Sequence, residues 1–199
     1  MSKTVFLDRD GVVNHLIYVP EHGRVETPLR PQQFRLMAGV AKGIKTLQAA
    51  GFQVVLVSNQ PGIAKGQLTL RMFARIRAKA QRLLAREGVR LDGEYYCLHH
   101  PQAARKPYRK RCACRKPQPG LILQAARERA SEVRSSFMVG DGLVDVEAGQ
   151  RAGCHTILVG HTSSLLTRVM KRKQLFPTYL AENFDEAVDY ILDPTRPSS

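Results

Sequence analysis

Thr4-Val5-Phe6-Leu7-Asp8-Arg9-Asp10-Gly11-Val12-Val13-Asn14 decides how the rest of the chain is read. A short apolar run, of the kind buried inside a parallel sheet, ends in two carboxylates one residue apart and then a glycine that frees the backbone to turn. Alternation along an extended strand points Asp8 and Asp10 the same way. In an open α/β sheet, ligands bind outside the carboxyl ends of the strands. The stretch therefore predicts a buried strand with a reactive site at its end. One carboxylate can ligate a hard cation or attack an electrophile, and the other can give and take a proton. A pair of acids in a surface turn would produce the same letters, so the partners further along must separate the two readings.

Those partners follow the same plan. Met37 to Ala50 places Val40, Ile44 and Leu47 at helical spacing, and Gly51 supplies a stop. Gln53-Val54-Val55-Leu56-Val57 is then a second buried strand that runs into Ser58-Asn59-Gln60. Strand, helix and strand in succession form a βαβ unit, so the expected class is α/β with a mostly parallel sheet. Ser136 to Asp145 repeats the opening pattern, an apolar strand ending in Asp141 and Asp145, with a helix predicted from Val146. Thr156 to Val159 reads as another strand, Tyr179-Leu180 as a short edge element and Phe184 to Leu192 as a final helix. His15 to Pro31, rich in proline, reads as an extended loop near the site, and its Arg24 and Arg30 are candidates for contact with a second anionic group. The basic segment beyond Gly160 shows no defined element, and Pro194 to Ser199 reads as a frayed tail after one domain spanning residues 1–193.

The chain has 199 residues, 43% of them hydrophobic, enough for one well-buried domain with a small insertion. No stretch approaches the roughly 20 apolar residues of a membrane span, and the first strand leaves no room for a signal peptide. The expectation is a cytoplasmic protein, monomeric, with no membrane partner. A formal net charge of +14 favours anionic ligands. Much of that charge lies on a helix around Leu70 to Arg86, where Arg71, Arg75, Lys79, Arg82 and Arg86 form one stripe. No aromatic residues interleave to stack bases, so the stripe reads as a solvated face rather than a nucleic-acid site.

Three of the four cysteines are bunched. Cys97-x-His99 is followed, after twelve residues, by Cys112-x-Cys114. Two such pairs make a closed tetrahedral donor set suited to structural zinc, which would order a polar insertion that has no core of its own. His99 fits the paired spacing and His100 would support it from behind. Cys154, beside Gly153, reads as an ordinary buried thiol.

The apolar strand followed by Asp8-x-Asp10-Gly11 resembles the first motif of the haloacid dehalogenase superfamily of phosphohydrolases. The resemblance implies that Asp8 is the nucleophile that takes the phosphoryl group and that Asp10 is the general acid and base. It implies further that Ser58, with its neighbour Asn59, contacts the phosphoryl group and that Lys116 stabilises it. Asp141 would bind magnesium together with Asp8 and the backbone carbonyl of Asp10, while Asp145 orients the site from behind. A hairpin flap is implied after the first motif. The zinc pairs followed by Arg115-Lys116-Pro117 narrow the likeness, which runs from Phe6 to about Val159. They resemble the heptose bisphosphate and histidinol-phosphate phosphatases, and the long spacing is closer to the D-glycero-D-manno-heptose 1,7-bisphosphate enzymes. Arg115 then helps to bind substrate.

Gly142 departs from that pattern, which commonly has lysine after the metal-binding Asp, and Leu98 replaces a usual proline. The implied fold is a Rossmann-like three-layer sandwich without a large cap domain and with a zinc-ordered loop at residues 97–114. The implied activity is magnesium-dependent removal of the 7-phosphate from a heptose bisphosphate on the route to nucleotide-activated heptose. Histidinol phosphate or another small phosphomonoester is the alternative substrate. A non-catalytic phosphate-sugar or nucleic-acid binding module is the alternative of another class.

Overall fold

The computed structural model describes residues 2–161 and 163–195. Its strands are β1 (Thr4–Leu7), β2 (Ile17–Val19), β3 (Arg24–Glu26), β4 (Gln53–Asn59), β5 (Gly93–Cys97), β6 (Phe137–Gly140), β7 (His155–Val159) and β8 (Tyr179–Ala181). Its helices are α1 (Val40–Ala49), α2 (Leu70–Arg86), α3 (Gly120–Glu128), α4 (Leu143–Ala152), α5 (Ser164–Lys173) and α6 (Phe184–Leu192). Six strands form one sheet in the order β5-β4-β1-β6-β7-β8, and every pairing in it is parallel.

The first strand lies between β4, which follows it in the chain, and β6, which comes much later. The chain builds outward from β1 through β4 to β5 on one side and then returns to build β6, β7 and β8 on the other, so a crevice opens at the carboxyl end of β1 where the order reverses. Alternation along the strands divides the core. Val5 and Leu7 join Val54, Leu56, Phe137 and Val139 on the face covered by Ile44 and Leu47 of α1 and Phe184 and Val188 of α6. Phe6 joins Val55, Val57 and Met138 on the other face, against Leu121 and Ile122 of α3 and Ala148 of α4. The strands read as continuous apolar runs because both faces are buried.

Two expectations needed correction. Residues 15–31 are not simply an extended loop, because β2 and β3 pair antiparallel through Ile17↔Glu26, Tyr18↔Val25 and Val19↔Arg24. The segment beyond Gly160 contains α5, whose start is capped by the Ser163 hydroxyl accepting from the Leu166 N–H at 3.1 Å. Only a narrow stripe of α5 is apolar: Met170 is buried and Leu166 half-buried against Val146, Leu158 and Leu175. Its Lys171, Arg172 and Lys173 fall in the last turn, where cations suit the helix dipole. The tail expected to fray lies outside the described residues beyond Thr195. Among the described residues, no helix is long and apolar enough to cross a membrane.

Candidate active site

The parallel register brings the ends of β1, β4 and β6 together. The pairing of β1 with β6 extends one residue further, the Asp8 N–H donating to the Val139 carbonyl at 2.9 Å, so Asp8 leaves the sheet already aligned. The chain then turns sharply: the N–H groups of Val13 and Asn14 both donate to the Arg9 carbonyl, at 2.8 and 3.0 Å. Gly11 sits in this turn at φ +85°, and a Cβ there would lie 2.0 Å from Asp141 Oδ2. Both the backbone conformation and the space demand glycine, because the turn passes directly against the Asp141 carboxylate.

Lys116 is the hub of the site. It is 3% exposed, and its ammonium lies 2.8 Å from Asp8 Oδ1 and 2.6 Å from Asp145 Oδ1 while donating to the Val57 carbonyl at 2.8 Å. The ammonium thus sits between two carboxylates and a strand carbonyl. Although burial alone would lower its pKa, the Asp145 and Asp8 charges raise it, so the lysine stays a cation. Asp145 is held by Lys116 on one oxygen and accepts from the Gly142 N–H at 3.1 Å on the other. Burial raises its pKa against the opposing pull of Lys116.

Asp8, Asp141 and Asp145 place carboxylate oxygens within 4.8 Å of one another. Burial and the neighbouring charges of Asp8 and Asp145 push Asp141 up to about 7, against the pull of Lys116. A hard divalent cation relieves such repulsion, and carboxylate oxygens are its preferred donors, so the group fits magnesium. Both Asp145 oxygens are engaged, by Lys116 and by the Gly142 N–H, which leaves Asp141 and the second oxygen of Asp8 as the available side-chain ligands. The Asp10 side chain stays out of this group. It accepts instead from Arg9, from Asn14 Nδ2 at 2.9 Å and from Gln60 Nε2 at 2.6 Å.

Ser58 is buried at the end of β4, and its hydroxyl accepts from Gln60 Nε2 at 3.1 Å. Asn59, beside it, is engaged with the backbone of Lys116. Its amide donates to the Lys116 carbonyl and accepts from the Lys116 N–H, both at 3.0 Å, so it braces the lysine. Arg115 is half-buried and donates from Nη1 to the His99 carbonyl at 3.2 Å, beside the cysteine cluster. Arg24 and Arg30 line an open groove of about 770 Å³ with Gln33 and Gln67. At Gly142 an added Cβ would meet only Asp145 Oδ2 at 3.4 Å and Val144 at 3.7 Å, so there is room for the side chain this position lacks.

Cys97, His99, Cys112 and Cys114 converge as the spacing predicts. The Sγ atoms of Cys97, Cys112 and Cys114 are 3.2 to 3.6 Å apart, and His99 Nδ1 lies 3.4 Å from Cys114 and 3.8 Å from Cys97. The four donors surround one small space, and three thiols with an imidazole are a donor set that suits tetrahedral zinc. Burial pushes the Cys97 thiol up, while at Cys112 hydrogen bonds from the Cys114 and Cys97 thiols outweigh burial and hold it below the ordinary range. His100 is not part of the cluster, since its Nδ1 accepts from the Gln102 N–H at 3.1 Å. Cys114 lies two residues before Lys116, so one short segment carries both the last member of the cluster and the lysine.

Arg9, Asn14 and Gln60 were not singled out by sequence, and all three touch Asp10. The one available signal was position: Arg9 lies directly between the two acids, Asn14 four residues after Asp10 and Gln60 two residues after Ser58.

Known proteins resemble this chain in sequence and in fold. Residues 113–187 match the HAD-hydrolase-like family model. The D-glycero-β-D-manno-heptose-1,7-bisphosphate 7-phosphatase of Photorhabdus laumondii is 41% identical over 158 residues, covering 79% of this chain and 80% of that protein. The enzyme of the same name from Escherichia coli K12 is 38% identical over 170 residues, covering 84% and 85%. Among solved structures, the heptose 1,7-bisphosphate phosphatase of B. bronchiseptica, complexed with magnesium and phosphate, superposes with a TM-score of 0.77 at 29% identity. The match covers 96% of this chain and 99% of that one. A HAD-like phosphatase from Mesorhizobium loti gives 0.78 at 29% identity over 96% of this chain and 85% of that one. With these relatives and this site, the chain is a phosphoric monoester hydrolase and belongs to the D-glycero-β-D-manno-heptose-1,7-bisphosphate 7-phosphatase family of HAD-like hydrolases.

Proposed function

We propose that this chain hydrolyses the 7-phosphate of D-glycero-D-manno-heptose 1,7-bisphosphate through an aspartyl-phosphate on Asp8. The observation that carries this reading is the Lys116 ammonium 2.8 Å from Asp8 Oδ1. An anionic nucleophile and a phosphoryl group repel one another, and a buried cation between them removes that barrier. Asp8, Asp141 and the Asp10 carbonyl would hold magnesium, which would add positive charge beside the phosphoryl group. The Asp8 carboxylate forms a bond to phosphorus as the bond to the sugar oxygen breaks, and Asp10 gives that oxygen its proton. Asp10 then takes a proton from water as the water oxygen attacks phosphorus and Asp8 leaves. Ser58 and Arg115 supply donors to the substrate, and Asn59 holds Lys116 in place. The zinc loop supports Arg115 and Lys116 and takes no part in bond making. The substrate class rests on the relatives of the same name.

The test is phosphate release from the heptose bisphosphate with added magnesium, followed by NMR of the product. Loss of the 7-phosphate alone, abolished in Asp8→Asn, is the expected result. Release no faster than from unrelated phosphomonoesters, or a clear preference for histidinol phosphate, overturns the substrate assignment. Full turnover by Asp8→Asn overturns the nucleophile.

A further inference from the structure

The Asp10 carboxylate is held chiefly by its own neighbour. Arg9 donates to it from Nε at 3.2 Å and from Nη2 at 2.9 and 3.0 Å. The same Nη2 donates to the Thr27 hydroxyl at 3.0 Å, one residue beyond β3 of the hairpin. Arg9 is 1% exposed and is the largest fully buried side chain among the described residues, with its guanidinium 5.9 Å from the centroid of the Phe34 ring. Its Nη1 is also buried and makes no hydrogen bond to the described residues.

Burying a guanidinium with one donor unspent is costly, and an apolar side chain would fill the same space more cheaply. The fold alone gives no reason for arginine here. The fork-shaped grip on Asp10 does, because arginine fixes both the position and the rotation of a carboxylate where a lysine would hold only a point. Asn14 and Gln60 hold the remaining directions, and Gln60 also reaches the Ser58 hydroxyl.

We propose that Arg9 is a positioning residue that aims the Asp10 carboxylate at the leaving oxygen, and that Thr27 at the stem of the hairpin sets Arg9. This rests on the reading of Asp10 as general acid. The hairpin is thereby tied to the proton-transfer group through a single guanidinium.

A sugar alkoxide is a poor leaving group and needs its proton as the bond to phosphorus breaks, whereas 4-nitrophenolate leaves without one. A misaimed acid therefore changes the ratio of the two rates, and a merely structural defect lowers both together. The readout is kcat/KM, which covers steps up to phosphoryl transfer, for the heptose bisphosphate against 4-nitrophenyl phosphate. Asp10→Asn serves as the reference, with an expected fall in the ratio of about 10²- to 10⁴-fold. Arg9→Lys keeps the charge and loses the fork, and the ratio should fall about 10²-fold. Thr27→Val, nearly isosteric and at a half-buried site, should lower it about tenfold by freeing Arg9. Combining the two variants should add little to Arg9→Lys alone, since both act through one contact.

Equal losses on both substrates in Arg9→Lys and Thr27→Val would overturn the positioning role while leaving Asp10 as the acid. An unchanged ratio in Thr27→Val alone would sever the hairpin from the mechanism. A ratio unmoved in Asp10→Asn would remove the acid assignment itself, and the proposal with it.

Discussion

Asn59 and Lys116 are joined by two opposed hydrogen bonds, side-chain amide to backbone N–H and carbonyl, each 3.0 Å long. The end of β4 is thereby fastened to the residue whose ammonium sits beside Asp8, across 57 residues of sequence. Asn59→Ala leaves a backbone donor and acceptor unpaired, at a cost of about 1–3 kcal/mol in stability. Slight displacement of the ammonium should lower kcat by up to about 10²-fold with KM little changed. A raised KM at unchanged kcat would instead place Asn59 against the substrate.

Removing the hub separates stability from catalysis. Lys116→Met strips the buried Asp145 of its partner and should destabilise the protein by about 3–5 kcal/mol. Loss of charge stabilisation should lower kcat by at least about 10²-fold. Adding Asp145→Asn to that variant should restore most of the lost stability, measured by denaturant melts, and none of the activity. Recovery of both would show that the lysine serves only the fold.

Magnesium and protons should compete at Asp141. Its pKa rises from 3.8 to about 7 because burial and neighbouring carboxylates oppose its charge. A carboxyl whose pKa is raised by folding stabilises the fold fully below its unfolded value, and that contribution disappears as pH rises through the folded value. The metal-free protein should therefore lose thermal stability between about pH 4 and pH 7, and magnesium should restore it at the upper end. Melting temperatures measured with magnesium and with a chelator should diverge as pH rises. Parallel curves would remove Asp141 from the metal site.

Thiol accessibility should divide the cysteines three to one. Burial pushes the Cys154 thiol up to about 12, so it stays protonated and inert, while Cys97, Cys112 and Cys114 share one cluster. Zinc should protect all three from a thiol reagent. Chelation should release those three thiols, the buried Cys97 among them once loss of the metal opens the loop around it, and lower the melting temperature, while Cys154 in the core should react only on unfolding. One or two thiols reacting in the zinc-loaded protein would exclude the tetrahedral set.

Residues that announced themselves in sequence are those where local pattern and final environment coincide. Leu7 to Asp10 and Val139 to Asp141 pass from apolar to acidic where a buried strand meets the crevice, so one boundary marks fold and site together. The paired spacing at Cys97, His99, Cys112 and Cys114 survives for a similar reason, since the metal geometry is written into short intervals. Arg9 offered no such sign. A charged residue between two acids reads as solvent-exposed, and its burial depends on Phe34 and Thr27, which only the tertiary fold brings near. The same limit hid α5, whose two inward side chains were outnumbered by cations at its end.

The place of β1 in the sheet also bears on how the protein is made. One edge of this strand is covered by β4, within the first sixty residues, but the other waits for β6, which begins at Phe137. Asp8 gains its alignment from Val139, and Lys116 gains Asp145, only after those residues have left the ribosome. Until then the nascent chain carries an apolar strand with one open edge, the state most exposed to wrong pairing during synthesis. Competence for catalysis therefore arrives late in translation, with the second half of the sheet, and truncated chains ending before Asp145 should be inert and prone to aggregate.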